Sequence, residues 1–195
     1  SGFSAGNGIT SAGKYSNGVK LNGSSSSVDL GTWFNYQTFT IAMWVSAGSS
    51  QLQYTDLIDN NHSNWNWTIE QNSTLTNQYY WSTDGGDSVA INLTADAWTH
   101  LAITRNGPSR TSTVYFNNSP SSSTGTGNIT YNNPQNLMLG RWVSGGRNWN
   151  GLMDSVFIFD KALSAVEVSD LYNNCGFSTR AYPGKLLIRK YTATE

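Results

Sequence analysis

Between Tyr15 and Asp160 the chain alternates apolar and polar residues in short runs, and turn residues break the runs at close intervals. Phe39, Ile41, Met43 and Val45 fall on one side of such a run, with Thr40, Ala42 and Trp44 on the other. Trp65, Trp67 and Ile69 alternate with Asn66, Thr68 and Glu70, and the pattern recurs at Val89/Ile91/Leu93, Leu101/Ile103, Val114/Phe116, Leu137/Leu139 and Val156/Ile158. A period of two places successive side chains on opposite faces of a strand. Asn22-Gly23, Asp84-Gly85-Gly86, Asn106-Gly107-Pro108 and Ser144-Gly145-Gly146 supply residues that tolerate positive φ and reverse the chain. Many short strands so spaced predict an all-β sandwich or barrel.

One helix is expected. Ser164 and Glu167 have capping-box spacing, Leu163 can staple onto Val168, and Asn173, Asn174 and Gly176 supply the stop. A helix over about Ala165 to Tyr172 is too short to stand alone and must rest on the sandwich. The Ser-rich stretches 24–27 and 119–127 read as loops, because strand patterns resume directly after them. Residues 176–195 carry a compact apolar run, Lys185 to Arg189, outside the main pattern. The expected division is therefore a domain over 1–175 and an extension over 176–195, which packs on it or leads to a partner or a further domain.

Composition narrows the function. Charged residues make up 12% of the 195 residues and the formal net charge is -1, so the basic field that nucleic acid needs is missing. No apolar run is long enough for membrane insertion. The single cysteine, Cys175, excludes an intrachain disulfide. Seven Asn-x-Ser/Thr sequons, from Asn22 to Asn128, are what an Asn- and Ser-rich chain carries by chance.

Ordered segments resemble the laminin G-like branch of the concanavalin A-like lectin and glucanase superfamily. They are Val19-Lys20-Leu21-Asn22-Gly23, the run Phe39 to Val45, Trp98-Thr99-His100-Leu101-Ala102, Val114-Tyr115-Phe116-Asn117-Asn118, Leu139-Gly140, and the long stretch Gly151 to Glu167. Asn118 stands where the family has glycine. The resemblance implies an all-β fold: a two-sheet antiparallel jelly-roll sandwich, concanavalin A-like, with one short C-terminal helix. It also implies a structural calcium, with Asp154 as the carried-over ligand; the alternative is a carboxylate that bonds the N-terminal strand without metal. Asp84-Gly85-Gly86-Asp87 lacks EF-hand spacing and reads as a plain turn.

The aromatic surplus (Trp 8, Tyr 10, Phe 7) bears on ligands, because sugars present C–H faces that pack on rings while amides bind their hydroxyls. Trp44 and Trp98 fall in framework strands. The expected ligand-binding set is Trp65, Trp67, Tyr80, Trp81, Arg141, Trp142 and Trp149. For each ring alone core or loop packing is the commoner role, but as a set they are expected to leave a partly exposed platform. In the run Tyr79-Tyr80-Trp81 at least one ring must leave the inter-sheet core. The spaced acid triplet of the superfamily's glucanases is absent, and no nucleophile motif accompanies His62, His100 or Cys175. The expectation is a non-catalytic carbohydrate-binding or adhesion module at the outside of a cell or virion, with a glycan or polysaccharide as partner. The alternative is a structural virion-surface protein acting through other chains of a surface assembly. A polysaccharide-degrading enzyme ranks behind both.

Overall fold

The computed structural model describes residues 2–3, 8–10, 12–15, 17–60, 66–74, 76–131, 135–173 and 185–187. In chain order the strands are β1 (Gly2–Phe3), β2 (Gly8–Thr10), β3 (Gly18–Asn22), β4 (Val28–Asp29), β5 (Phe39–Ala47), β6 (Asp56–Asn60), β7 (Trp67–Gln71), β8 (Gln78–Thr83) and β9 (Ser88–Asn92). They continue as β10 (Thr99–Asn106), β11 (Thr111–Phe116), β12 (Ser119–Thr124), β13 (Met138–Leu139) and β14 (Asn150–Phe159), then helix α1 (Ala165–Asn173) and β15 (Lys185–Leu187). Seven strands form one antiparallel sheet in the order β1-β4-β13-β6-β7-β8-β9. The other sheet has eight strands, ordered β12-β11-β10-β5-β14-β3-β2, with β15 on β14. The fold is the two-sheet jelly-roll sandwich with one short helix that the sequence predicts, but Ser119–Thr124, expected as loop, is strand β12 paired with β11.

The alternation decides what fills the space between the sheets. Phe39, Ile41, Met43 and Val45 of β5 meet Trp67, Ile69, Tyr79, Trp81, Val89 and Ile91 from β7, β8 and β9 in one apolar cluster. Side chains of this size, fully withdrawn from water, contribute roughly 1.5–3 kcal/mol each. Gly140 sits at φ 76°, and a Cβ there would fall 2.3 Å from Leu21 Cδ1, so this junction needs glycine. Near one end of the core Arg105 is 0% exposed, lies 3.6 Å from Asp87, and donates to the carbonyls of Gln37 and Gly127. Asp87 also accepts from Thr83 and Ser112, so the buried charges have several partners.

The outer face of the eight-stranded sheet is covered by the chain's own helix. A bulge between Asp154 and Phe157, with Ser155 at φ 49°, shifts the register of β14. Met153 before it and Val156 and Ile158 after it all point inward, while Phe157 and Phe159 turn outward. There they join Ala42, Ala102, Tyr115, Leu163, Val168 and Leu171 in a second apolar cluster beneath α1. The capping box forms as predicted: Glu167 N–H donates to Ser164 Oγ, and Ser164 N–H to Glu167 Oε2 at 2.8 Å. Lys185–Leu187 pairs with Phe157–Phe159, beyond the part of β14 taken by β3.

Candidate functional site

The opposite outer face, that of the seven-stranded sheet, is covered by no helix among the described residues. Inward-facing Trp67, Ile69, Tyr79, Trp81, Val89 and Ile91 leave the alternate residues of β7, β8 and β9 pointing out. The register lines them up in rows across the strands. One row runs Asp56, Glu70, Tyr80, Ala90. A second runs Asp59, Thr68, Ser82, Ser88 and continues on the far side through Met138 to Asp29. On the other flank of Tyr80 lie the amides of Gln78, Asn92 and Asn72.

Tyr80 is the exposed ring of this face, at 36%. Its hydroxyl donates to Gln78 Oε1 at 3.4 Å and accepts from Asn72 Nδ2 at 3.3 Å, and Asn72 Nδ2 also reaches Gln78 Oε1 at 3.2 Å. An anchored ring with small residues beside it (Ala90, Ser82, Ser88) makes a shelf open toward β9.

On the β6 side the shelf ends in a wall, the connection from β13 to β14. The backbone of Asp56 donates to Arg147 O at 3.0 Å, and Asp56 bridges Asn148 in parallel. Val143 N–H donates to Asp59 Oδ2 at 2.9 Å, and Arg147 Nη1 forms an ion pair with Glu70 Oε2. The Arg147 guanidinium lies 4.8 Å from the Trp142 ring centroid and 5.3 Å from that of Tyr54, which is 44% exposed. Gly145 and Gly146, at φ 94° and 76°, make the turn at the tip.

Asp56, covered by this wall, is 0% exposed, and its pKa is pushed up to about 9. Burial is the main cause, followed by Asp59 and Glu70; the Thr68 hydroxyl and Arg147 pull the other way. Thr68 Oγ1 donates to Asp56 Oδ1 at 2.9 Å, while Oδ2 has no hydrogen-bond partner. Burial also raises Glu70, against the pull of Arg147.

The expected binding residues separate sharply. Tyr80 lies at the centre of the shelf, Trp142 forms part of its wall, and half-buried Arg141 sits at the root of the wall. Trp67, Trp81 and Trp149 are a correction: at 1%, 0% and 0% exposure they are core residues, and Trp149 Nε1 donates to the buried Tyr79 hydroxyl at 2.8 Å. For Trp67 and Trp81 the inward direction follows from the parity that turns Tyr80 outward. Trp65 lies outside the described residues, as do His62 and Cys175. Trp44 is on the outer face of the other sheet, stacked on Tyr172 at 5.6 Å and 18°, with Tyr15 edge-on. Trp98 is half-buried just before β10. Sequence reasoning did not single out Glu70, Asp56, Asp59 or Tyr54. The parity of Glu70 against Trp67 and Ile69 is a signal that places it outside; nothing in the sequence announces that the connection from β13 folds back onto it.

Asp154 accepts hydrogen bonds from Tyr15 N–H at 3.0 Å and from the Ser155 hydroxyl at 3.1 Å. Both described partners are donors, whereas calcium takes oxygen acceptors, and no group of three or more His, Cys, Asp or Glu suited to a metal forms among the described residues. The Tyr15 amide ties Asp154 to the N-terminal segment, as the metal-free alternative expects.

Two antiparallel sheets, one of them with its outer face covered by a helix, define a concanavalin A-like jelly-roll sandwich. The family model described as "Concanavalin A-like lectin/glucanases superfamily" matches residues 13–169, and the chain belongs to that family. Among solved structures it is similar to the binding domain of Paraclostridial Mosquitocidal Protein 1, at 23% identity and TM-score 0.69, over 88% of this chain and 46% of that one. It is similar to domain 4 of AbnA, a GH43 extracellular arabinanase from Geobacillus stearothermophilus in complex with arabinotriose, at 19% identity and TM-score 0.66, over 86% and 81%. A third likeness is to botulinum neurotoxin type C, whose cell entry depends on interaction with two ganglioside molecules, at 17% identity and TM-score 0.69, over 90% and 46%. The chain thus spans about half the length of the toxin structures it matches. At these identities the likeness establishes the fold. No curated protein sequence matches the chain.

Proposed function

We propose that the chain is a non-catalytic carbohydrate-binding module whose ligand lies on the Tyr80 shelf. The observation that carries this reading is the composition of that face: one exposed, hydrogen-bonded ring flanked by an amide row on one side and a hydroxyl row on the other. A pyranose or furanose ring offers the matching parts, a C–H face for the phenol and hydroxyls for Asn72, Gln78, Asn92, Ser82 and Ser88. Domain 4 of AbnA, a structure of the same fold in complex with arabinotriose, supports the ligand class. The carboxyls along the face are committed to structure: Asp56 to Thr68, Asp59 to the Val143 amide, Glu70 to Arg147. That commitment supports binding without hydrolysis, since an acid and a nucleophile must both reach the substrate. An extracellular setting, with adhesion or surface display, belongs to the same proposal.

Affinity electrophoresis against soluble polysaccharides, run with Tyr80→Ala in parallel, tests the reading. Retardation of the wild type on at least one polysaccharide, lost in Tyr80→Ala, is the expected result. Equal migration of both proteins on every gel would remove the reading. Self-association of the chain in mass photometry, together with that result, would favour the virion-surface alternative.

A further inference from the structure

The same shelf restricts which sugars fit, and this inference rests on the glycan reading above. We infer that the site takes neutral glycans and discriminates against acidic ones such as uronates and sialylated or sulfated sugars. The rows place the half-exposed carboxyls of Asp29 and Glu70 along this face, with Asp59 buried between them. Of the arginines beside them, Arg147 is engaged three times over, in its ion pair with Glu70 and against the rings of Trp142 and Tyr54. Arg141 is half-buried at the root of the wall, with its Nε enclosed. A ligand carboxylate or sulfate would have to break the Glu70–Arg147 pair to gain a cation, and would then lie beside the freed carboxylate of Glu70. A neutral hydroxyl asks for no such exchange. Next to Tyr80 in the register, Glu70 can accept from a sugar O–H while its bond to Arg147 stays in place.

The proposal is tested by titrating the intact chain, at low ionic strength, with neutral and acidic polysaccharides. The neutral probes are β-glucan, xylan, arabinan and galactomannan; the acidic ones are polygalacturonate, carboxymethyl cellulose and a sialylated ganglioside headgroup. Expected is affinity for at least one neutral probe that exceeds every acidic one by about tenfold or more and changes little with added salt. Glu70→Gln should narrow the preference: with its partner neutralised, Arg147 becomes available to anions, so polygalacturonate binding rises about fivefold or more and becomes salt-sensitive. Acidic probes binding the wild type as tightly as neutral ones, through Tyr80, would overturn the inference and leave the glycan reading standing. Failure of every probe to bind would take down both.

Discussion

The two outer faces of the sandwich are made by the same alternation and have opposite fates. On β5, β10 and β14 the outward residues are Ala42, Trp44, Ala102, Phe157 and Phe159, and the chain covers them with α1, Tyr172 and the segment around Tyr15. On β7, β8 and β9 they are Thr68, Glu70, Tyr80, Ser82, Ala90 and Asn92, and among the described residues the cover lies at the β6 end. All nine residues of β5 are buried, whereas β9 alternates between buried and exposed along its length. An apolar outer face has to be sealed within the chain to stay monomeric, and a polar one can remain open to a ligand. What differs between stability and function in this molecule is therefore which side of the core a residue points to.

The largest expected effects come from uncovering the sealed face. Leu171, 1% exposed on the buried side of α1, replaced by Ala should lower unfolding free energy by about 2–5 kcal/mol in urea titrations, without changing polysaccharide affinity. Tyr80→Ala should do the reverse, weakening binding about tenfold or more while stability moves by no more than about 0.5 kcal/mol. A Tyr80→Ala protein that melts well below the wild type would place that ring in the core and end the distinction between the faces.

Titration separates the faces as well. Asp56 keeps its proton in the native state up to about pH 9, while an unfolded Asp releases it near 3.8, so the native state binds more protons throughout that window. Stability from this group is fully present below the lower value and is lost as pH rises through the window. On the sealed face His100, 2% exposed, is held down to about 4 by burial. It is neutral where an unfolded His is protonated, so its contribution is present above 6.5 and is lost as pH falls toward 4. Thermal melts from pH 4.5 to about 9 should accordingly decline at both ends. Asp56→Asn, which keeps an oxygen for the Thr68 hydroxyl, should flatten the alkaline limb only. An unchanged alkaline limb would mean that Asp56 is already ionised at neutral pH.

The sealed half of the molecule was the more legible one. Ser164 and Glu167 lie close in sequence, so their reciprocal bonds can be read from spacing, and the strand parity around Phe39 to Val45 carries through β5 unchanged. The Tyr79-Tyr80-Trp81 run obeyed the same rule, with the middle ring outside. The shelf was legible only in part. Choosing Trp67 and Trp81 as platform residues ranked ring type above parity, and Trp149 is held in the core by a bond to Tyr79, 70 residues away. The wall depends on contacts such as Glu70 with Arg147 and Asp59 with Val143, 77 and 84 residues apart, which no local pattern encodes.

A smaller change probes the joint between helix and sheet. Ser164→Ala removes the hydroxyl that accepts from Glu167 N–H, and should lower stability by about 1 kcal/mol in urea titrations with no effect on binding. A loss as large as that of Leu171→Ala would mean that the cap, rather than the apolar contact, keeps α1 on the sheet.

The smallest expected effect concerns Asp154, at the rim of the sealed face. A cation bound only to the native state must raise the melting temperature with its concentration. With the Tyr15 amide and the Ser155 hydroxyl directed at the Asp154 carboxylate, calcium would have to displace donors before it gained ligands. Melts in calcium and in EDTA are therefore expected to coincide. A calcium-dependent rise that disappears in Asp154→Asn would reinstate the metal and make the sealed face the one that depends on an ion.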